Sequence, residues 1–494
     1  MYELLTPDEM GRADRLAIAA GPFDGRQLMD NAGRAVAAEI LARYGDAARA
    51  DILCGPGNNG GDGYVVAREL QRAGMAVSLH ALAPPKSGAD AADAARRWGG
   101  AALDLDAFDP SPGALVIDAL FGAGLERPLA GKALAAVERA GEAGCRVVAV
   151  DLPSGLSGAS GAVLGGACPA ELTVTFFRKK PAHLLHPGRE LCGEVVLADI
   201  GIGAGVLDEV KPTCFENLPP LWRGHLPATA RDAHKYSRGA AAVFSGGPSS
   251  TGAARLAAMA AQRAGAGAVT VLSPPSAMLV NAGHLTSIML RPVGDAGAVE
   301  AFLGEGKTSA VAIGPGFGVG ERLREMIAAV LAGKLKTVVL DADALTAYGA
   351  APRRLFDRIA AAPAGSVVLT PHEGEFARLF PDLAADKALS RLDRARLAAK
   401  RAGAIVVLKG PDTVVAAPDG MAAINANGGP VLATAGSGDV LAGIVTGLAA
   451  QGMAGFHAAC AAVWLHAETG NLAAHGAIAE DFIHLLPAVF TELL

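Results

Sequence analysis

Apolar positions along the chain fall into two alternating patterns. Thr6, Pro7 and Glu9 are spaced as a capping box with proline at the first helical position, which predicts a helix start there. A second helix is predicted from about Gly25, where Leu28, Ala32, Val36 and Ile40 recur at helical spacing. Short apolar runs then alternate with helical stretches: ADILC, DGYVVARELQRAG, AVSLHAL, ALVIDAL, GKALAAVERAGEAG and CRVVAVD. Near-continuous apolar strands separated by helices imply βαβ units and a parallel sheet covered on both faces.

After GEVVLADIGI the pattern lapses. KPTCFENLPPLWRGHLPATARDAHKY is proline-rich and aperiodic, which places a domain boundary near residues 213–223. A second alternation opens at GAAAVFSGG and runs through GAVTVLS, SAVAIGPG, TVVLDADAL, SVVLTPHEGE and AIVVLKG. It ends in a long alanine-rich helical stretch from about Ser437. At 494 residues the chain is too long for one ordinary core. The expected division is an α/β domain over residues 1–215, a linker over 216–223 and a second α/β domain over 224–494.

Charge narrows the partners. The net charge is −6, with Lys and Arg scattered among Asp and Glu, so no basic face for nucleic acid or an anionic membrane is expected. Cys54, Cys145, Cys168, Cys192, Cys214 and Cys460 form no C-x-x-C pair or zinc-type cluster, and read as buried thiols in a reducing compartment. MYELLTPDEMGRADR has no signal-peptide pattern, and no apolar run is long enough to span a bilayer. A soluble, cytoplasmic homo-oligomer acting on small molecules is the expectation.

CGPGNNGGDGYVVA carries Gly55, Gly57 and Gly60 at the G-x-G-x-x-G spacing of dinucleotide-binding folds. Hydride transfer with a nicotinamide cofactor nevertheless loses support. The next strand, AVSLHALAPPK, lacks the acid that holds a ribose hydroxyl, and Asn58, Asn59 and Asp62 crowd the turn with polar groups. Those groups suit an ion and a polar ligand together: hard oxygens beside helix-start N–H groups. VIDALFGAG and VAVDLPSGLSG bring Asp118, and Asp151 with Ser154, to further strand ends of the same predicted sheet.

LMDNAG, GPGNNGGDGYVVAREL, DALFGAGLERPLAG, VDLPSG and GEVVLADIGIG together resemble the N-terminal domain of NAD(P)H-hydrate epimerases, a Rossmann-like three-layer α/β/α fold. By that resemblance Asn59, Asp118 and Ser154 hold a potassium ion. Asn58, Asn59, Gly60, Gly61 and Asp62, the loop Gly122, Ala123, Gly124, Leu125, Glu126, Arg127 and Pro128, and Asp151 contact the hydrated nucleotide. Asp151 is also the acid–base candidate for exchanging the R and S forms at C6. In FFRKKPAHLLHPGR, Ala182 stands where the family has glycine. Lys180 there is open to two readings, a contact to phosphate or ring, or a solvated lysine before a turn.

In the second half, NANGGPVLATAGSGDVLAGIVTGLAAQG sets the turn Gly436 to Gly438 directly before a helix, with Asp439 in its first turn. Free N–H groups and the positive helix end suit a transferring phosphoryl group, and the carboxylate suits proton abstraction from an alcohol. HKYSRGAAAVFSGG, IGPGFG, LDADAL, LTPHEGEFARL, LKGPDTVV and ATAGSGDVLAGIVTG resemble, in order, the ADP-dependent NAD(P)H-hydrate dehydratases of the ribokinase-like superfamily. The resemblance implies a ribokinase-like α/β domain with Asp439 as catalytic base. Asp439, Ala253, Gly316 and His372 would contact the hydrated nucleotide. Lys409, Gly410, Pro411, Asp412, Thr413 and Gly438 would bind ADP with Mg2+.

Together the halves imply epimerisation of hydrated NADH or NADPH, then ADP-driven dehydration of the S form with release of AMP and phosphate. Two readings compete: a ribokinase-like kinase of a vitamin precursor or sugar in the second half, and a non-catalytic nucleotide-binding or interaction module in the first.

Overall fold

Thr6 and Glu9 cap the first helix reciprocally. In the computed structural model, which describes residues 2–227, 235, 238–363 and 365–493, the Thr6 N–H donates to Glu9 Oε2 at 2.8 Å and the Glu9 N–H donates to Thr6 Oγ1 at 3.3 Å. These bonds start α1 (Pro7–Ala20). Asp24 and Gln27 cap α2 (Gly25–Tyr44) in the same way, and α2 buries the predicted stripe of Leu28, Ala32, Val36 and Ile40. Two compact units follow from the packing, Glu3–Cys214 and Phe215–Leu494.

The first unit is built on seven strands: β1 (Arg49–Cys54), β2 (Ala76–Ala81), β3 (Ala102–Asp104), β4 (Leu115–Ala119), β5 (Arg146–Val150), β6 (Leu172–Phe176) and β7 (Glu194–Ala198). Their order is β3-β2-β1-β4-β5-β6-β7, and every pairing is parallel. Chain order reverses between β1 and β4, the switch point where doubly wound folds bind ligands. The connecting helices include α3 (Asn58–Arg72), α4 (Asp90–Trp98) and α5 (Gly131–Glu142). Ile52, Ile117 and Val148 pack with Val36 of α2 and Val65 of α3 on one face. On the other, Leu53, Val116 and Val147 pack with Ala133 and Ala136 of α5. Helices on both faces give the Rossmann-like three-layer arrangement.

In the second unit, β8 (Ala240–Phe244), β9 (Ala268–Ser273), β10 (Met289–Pro292), β11 (Ala310–Ile313), β12 (Thr337–Leu340), β13 (Ser366–Leu369), β14 (Ile405–Leu408), β15 (Val414–Ala416) and β16 (Ala422–Ile424) lie in the order β16-β15-β14-β13-β12-β11-β8-β9-β10. Pairing is parallel from β10 to β14 and antiparallel through β15 and β16. Named helices here are α6 (Gly252–Arg263), α7 (Glu373–Leu379), α8 (Arg391–Ala402), α9 (Ser437–Ala450), α10 (Gly455–Leu472) and α11 (Ala479–Leu493). Alanines of α6 and α9 fill the core, letting these helices approach closely.

Residues 216–223, expected as a linker, are instead ordered within the second unit's core. Pro219–Trp222 form a helical turn, Trp222 is fully buried beside Trp464, and the Asn217 amide donates to Asn425 Oδ1 and the Cys460 carbonyl. Proline masks the periodicity while the tryptophan still supplies burial. His234, Tyr236 and Ser237 of the HKYSRG opening lie outside the described residues. All six cysteines are free thiols, five of them buried. Among the described residues no helix is long and apolar enough to cross a membrane.

Candidate active sites

Four neighbouring parallel strands of the first unit end at one edge. After β1, the turn from Gly55 packs against the turn after β4: a Cβ at Gly55 would collide with the Leu120 carbonyl, and one at Gly60 with the Gly55 carbonyl. Asp118 faces Leu53 of β1 and Ala149 of β5 in register. Its carboxylate receives the Ser154 hydroxyl at 2.6 Å and the Ser154 N–H at 2.7 Å, and Ser154 Oγ also lies 3.1 Å from the Phe121 carbonyl. Burial pushes the Asp118 carboxyl up, against the lowering effect of these bonds. Asn59, in the amide orientation its neighbours satisfy, donates to the Val150 carbonyl at 3.0 Å and accepts from the Gly122 N–H at 3.3 Å.

Asp151 follows β5 with a φ of 66°, and the Leu152 N–H donates across it to the Val150 carbonyl at 2.8 Å. This is a γ-turn of positive φ, a strained conformation costing about 1–3 kcal/mol. Phe177 after β6 repeats it, with a φ of 59° and Arg178 N–H donating to the Phe176 carbonyl. The paired turns aim Asp151 and Lys180 at each other. Lys180 Nζ donates to Asp151 Oδ1 at 2.6 Å and to Thr175 Oγ1 at 2.9 Å, while Ala123 N–H donates to Asp151 Oδ2 at 2.9 Å. Burial alone would raise the Asp151 carboxyl, but the Lys180 charge and these bonds outweigh it and hold it at about 2. Lys180 is 2% exposed, so the solvated reading is set aside.

Two further carboxyls share this field. Asp14 of α1 is pushed up to about 6 by burial and by Asp151, against the pull of Lys180. Asp62, buried in α3, is raised well above the carboxylate range by burial, with Asp151 and Asp14 adding repulsion.

In the second unit β11, β12, β13 and β14 lie side by side, so their following loops share one edge. Lys409 after β14 reaches Asp341 after β12: Nζ lies 2.9 Å from Oδ1, and 4.0 Å from Glu375 Oε2 of α7. Gly436, at a φ of 88°, turns the chain into α9. Asp439 in the first turn of α9 is raised to about 6 by burial and the Asp341 charge, softened by Lys409. A Cβ at Gly438 would stand 3.4 Å from Lys409 Nζ, so the helix start and the ammonium are neighbours.

Comparison with known proteins gives this geometry its context. Residues 25–182 match the model described as YjeF-related protein N-terminus, and residues 241–487 the model for NAD(P)H-hydrate dehydratase. The bifunctional NAD(P)H-hydrate repair enzyme of Moorella thermoacetica is 37% identical over 100% of this chain and 97% of its own length. Its counterpart in Escherichia coli is 32% identical over 98% and 93%. The chain belongs to the bifunctional NAD(P)H-hydrate repair enzymes. A crystal structure of the Bacillus subtilis ADP/ATP-dependent NAD(P)H-hydrate dehydratase, co-crystallised with ATP/Mg2+, superposes with a TM-score of 0.50 at 28% identity, over 56% of this chain and 98% of that one. The second unit accordingly has the ribokinase-like fold.

In this repair-family chain the structure unites some sequence-predicted residues and separates others. Asn59, Gly122, Ala123 and Asp151 meet, as do Asp118 and Ser154. Gly60, Gly61 and Asp62 are buried under the turn, while Asn58, Gly124, Glu126, Arg127 and Pro128 are exposed on its outer side and Leu125 is half-buried. Gly316, at a φ of 60°, sits against Ser250 and Ala253. His372 caps α7: its Nδ1 accepts from Gly374 N–H at 3.0 Å, and its N–H donates to Glu375 Oε2 at 2.9 Å. Thr413 Oγ1 closes the Gly410 turn by donating to the Gly410 carbonyl at 2.7 Å; Gly410 and Pro411 are exposed. The buried Asp412 side chain lies against Arg391, with Nε 3.2 Å from its Oδ1.

Sequence reasoning missed Asp14, Thr175 and His183 in the first unit, and Asp341 and Glu375 in the second. Asp341 was visible as a strand-end carboxylate in LDADAL, and Glu375 as the capping-box acid of TPHEGE. Asp14 carries no local signal, since only tertiary packing sets α1 over the Asp151 edge.

Proposed function

We propose that the first unit interconverts the R and S forms of hydrated NADH and NADPH at C6, and that the second dehydrates the S form using ADP, releasing AMP and phosphate. One observation carries the reading: within one family-matched chain, each sheet presents at the C-terminal edge of its parallel strands a lysine–carboxylate pair, Lys180 with Asp151 in the first and Lys409 with Asp341 in the second, the latter in the field of Asp439.

Epimerisation, by ring opening or by loss and return of water, needs one group to take a proton and one to give it. Asp151 stays ionised under Lys180 and takes it; Lys180, the charged neighbour, gives one back. Asn59, Asp118 and Ser154 would hold potassium, which supplies charge to fix the ligand. The Asp118–Ser154 part of the set fits: one Ser154 hydroxyl hydrogen cannot serve both Asp118 Oδ1 and the Phe121 carbonyl, and a cation relieves that crowding of hard oxygens. Asn58 to Asp62, Gly122 to Pro128 and Asp151 would contact the hydrated nucleotide.

Hydroxide is a poor leaving group, so the second unit converts it to phosphate. Asp439 takes the proton of the 6-hydroxyl as that oxygen attacks the terminal phosphorus of ADP, and AMP leaves. The ring-nitrogen lone pair then expels phosphate, and loss of the C5 proton restores the dihydropyridine. Gly438 and the turn Lys409, Gly410, Pro411, Asp412 and Thr413 would cradle the adenine nucleotide, whose phosphates bring Mg2+; Ala253, Gly316 and His372 would line the nicotinamide side. A cytoplasmic homo-oligomer is the expected form.

The test is recovery of reduced-nicotinamide absorbance from a mixture of hydrated NADH epimers with ADP and Mg2+, for wild type, Asp151→Asn and Asp439→Asn. Full recovery by wild type, recovery of only the S fraction by Asp151→Asn beyond spontaneous exchange, and none by Asp439→Asn are expected. A stable phosphorylated product would sink the dehydratase reading in favour of a kinase.

A further inference from the structure

Beside the Asp151–Lys180 pair stands a histidine that touches neither charged group. His183 is 2% exposed. Its Nδ1 lies 2.9 Å from the Lys180 backbone nitrogen, and its Nε2 lies 2.9 Å from the Asp151 backbone oxygen. An amide nitrogen can only donate and a carbonyl can only accept. Nδ1 is therefore bare and Nε2 carries the hydrogen. The longer approach of Nδ1 to the Lys180 carbonyl, 3.3 Å, has no proton to share in that form. Burial and the nearby Lys180 charge lower the imidazole to about 4, which keeps it neutral, as this double role requires.

The two backbone atoms it grips are those that need holding. Asp151 sits at the centre of a strained γ-turn whose N–H is fixed by the Val174 carbonyl, leaving its carbonyl to be fixed by His183. Lys180 follows the matching turn at Phe177, and its N–H has the imidazole as partner. We infer that His183 is a positioning residue for the epimerase reaction: a neutral imidazole of fixed tautomer that ties the Asp151 carbonyl to the Lys180 amide, so that carboxylate and ammonium meet in reactive register. This rests on the reading of Asp151 and Lys180 as the acid–base pair.

The test measures epimer exchange by intact His183→Phe and His183→Gln chains, with dehydration of the pure S epimer as the internal control. His183→Phe keeps a flat aromatic ring, slightly larger, and removes both bonds; His183→Gln restores a donor for the Asp151 carbonyl. Misplacing reacting groups by about 1 Å costs on the order of 100-fold. The expected result is a 10- to 100-fold fall in kcat for exchange with KM within about threefold in His183→Phe, partial rescue in His183→Gln, and unchanged dehydration. Wild-type kcat in His183→Phe, or a lowered melting temperature with kcat intact, would overturn the inference. A second readout needs no activity: NMR of the imidazole nitrogens in the wild-type chain. Nε2–H with bare Nδ1 at neutral pH is expected, and the other tautomer or an imidazolium overturns the inference. Should wild type show no exchange above the spontaneous rate, the epimerase reading and the positioning role both fall, whereas the NMR result reports the bridge alone.

Discussion

Lys180 Nζ and Asp151 Oδ1 lie 2.6 Å apart with the lysine almost wholly out of solvent, so the two charges lean chiefly on each other. Removing one partner from a buried pair strands the second at a cost of about 3–5 kcal/mol. Lys180→Met should therefore lower the stability of the first unit by about that much near neutral pH. Asp151 has a folded pKa below its unfolded value, so the stability it contributes is present above about pH 4 and lost as pH falls toward about 2. The deficit of Lys180→Met should shrink in acid, where the stranded carboxyl is protonated. Denaturant melts at the two pH extremes measure this, and Lys180→Met combined with Asp151→Asn should recover part of the loss.

Asp14 has the opposite sign. Its carboxyl is raised to about 6, so the fold binds its proton more tightly than the unfolded chain does. Its contribution is full at low pH and lost as pH rises through about 6. Asp14→Asn should raise stability near pH 8, by at most about 3 kcal/mol, and leave it unchanged near pH 4. A destabilised variant near pH 8 would mean that the carboxylate is held by partners rather than stranded by burial.

Much of this architecture was legible because burial imposes periodicity. The apolar runs of β1, β4 and β5 marked themselves as buried parallel strands, and Thr6 with Glu9 marked the start of α1 through bonds made within four residues. Strand-end chemistry was legible for the same reason: a residue after a parallel strand, such as Asp151, must lie at the sheet's edge. What escaped were contacts made by strain and by distant packing. No pattern in FFRKKPAH announces that Phe177 adopts a φ of 59°, or that this turn buries Lys180 against Asp151. Trp222 was hidden likewise, its burial decided by Trp464 far along the chain.

The Asp118–Ser154 contact predicts a cation response. Ser154→Ala removes the hydroxyl shared by Asp118 and the Phe121 carbonyl without touching Asp151. Exchange by wild type should fall when potassium is replaced by tetramethylammonium. Ser154→Ala should start slow and show little further response. A variant with wild-type potassium dependence would place the ion elsewhere.

With Asp439 as the proposed base, dehydration takes its pH dependence from this carboxyl. A base must be ionised to accept the 6-hydroxyl proton, and burial with the Asp341 charge holds this carboxyl at about 6. kcat/KM for the S epimer should then fall with unit slope below about pH 6 and level off above it. Asp439→Asn should cost on the order of 100- to 10,000-fold in kcat, the usual worth of a positioned base. Asp341→Asn separates field from chemistry. It removes the repelling charge and frees Lys409 Nζ, now 2.9 Å from Asp341, to favour the Asp439 carboxylate. The acid limb should move to lower pH in that variant, although its plateau falls as the lysine shifts. Should the limb stay near pH 6 in Asp341→Asn, burial rather than the Asp341 charge holds it there; should it persist near pH 6 in the residual activity of Asp439→Asn, the titrating group is not Asp439.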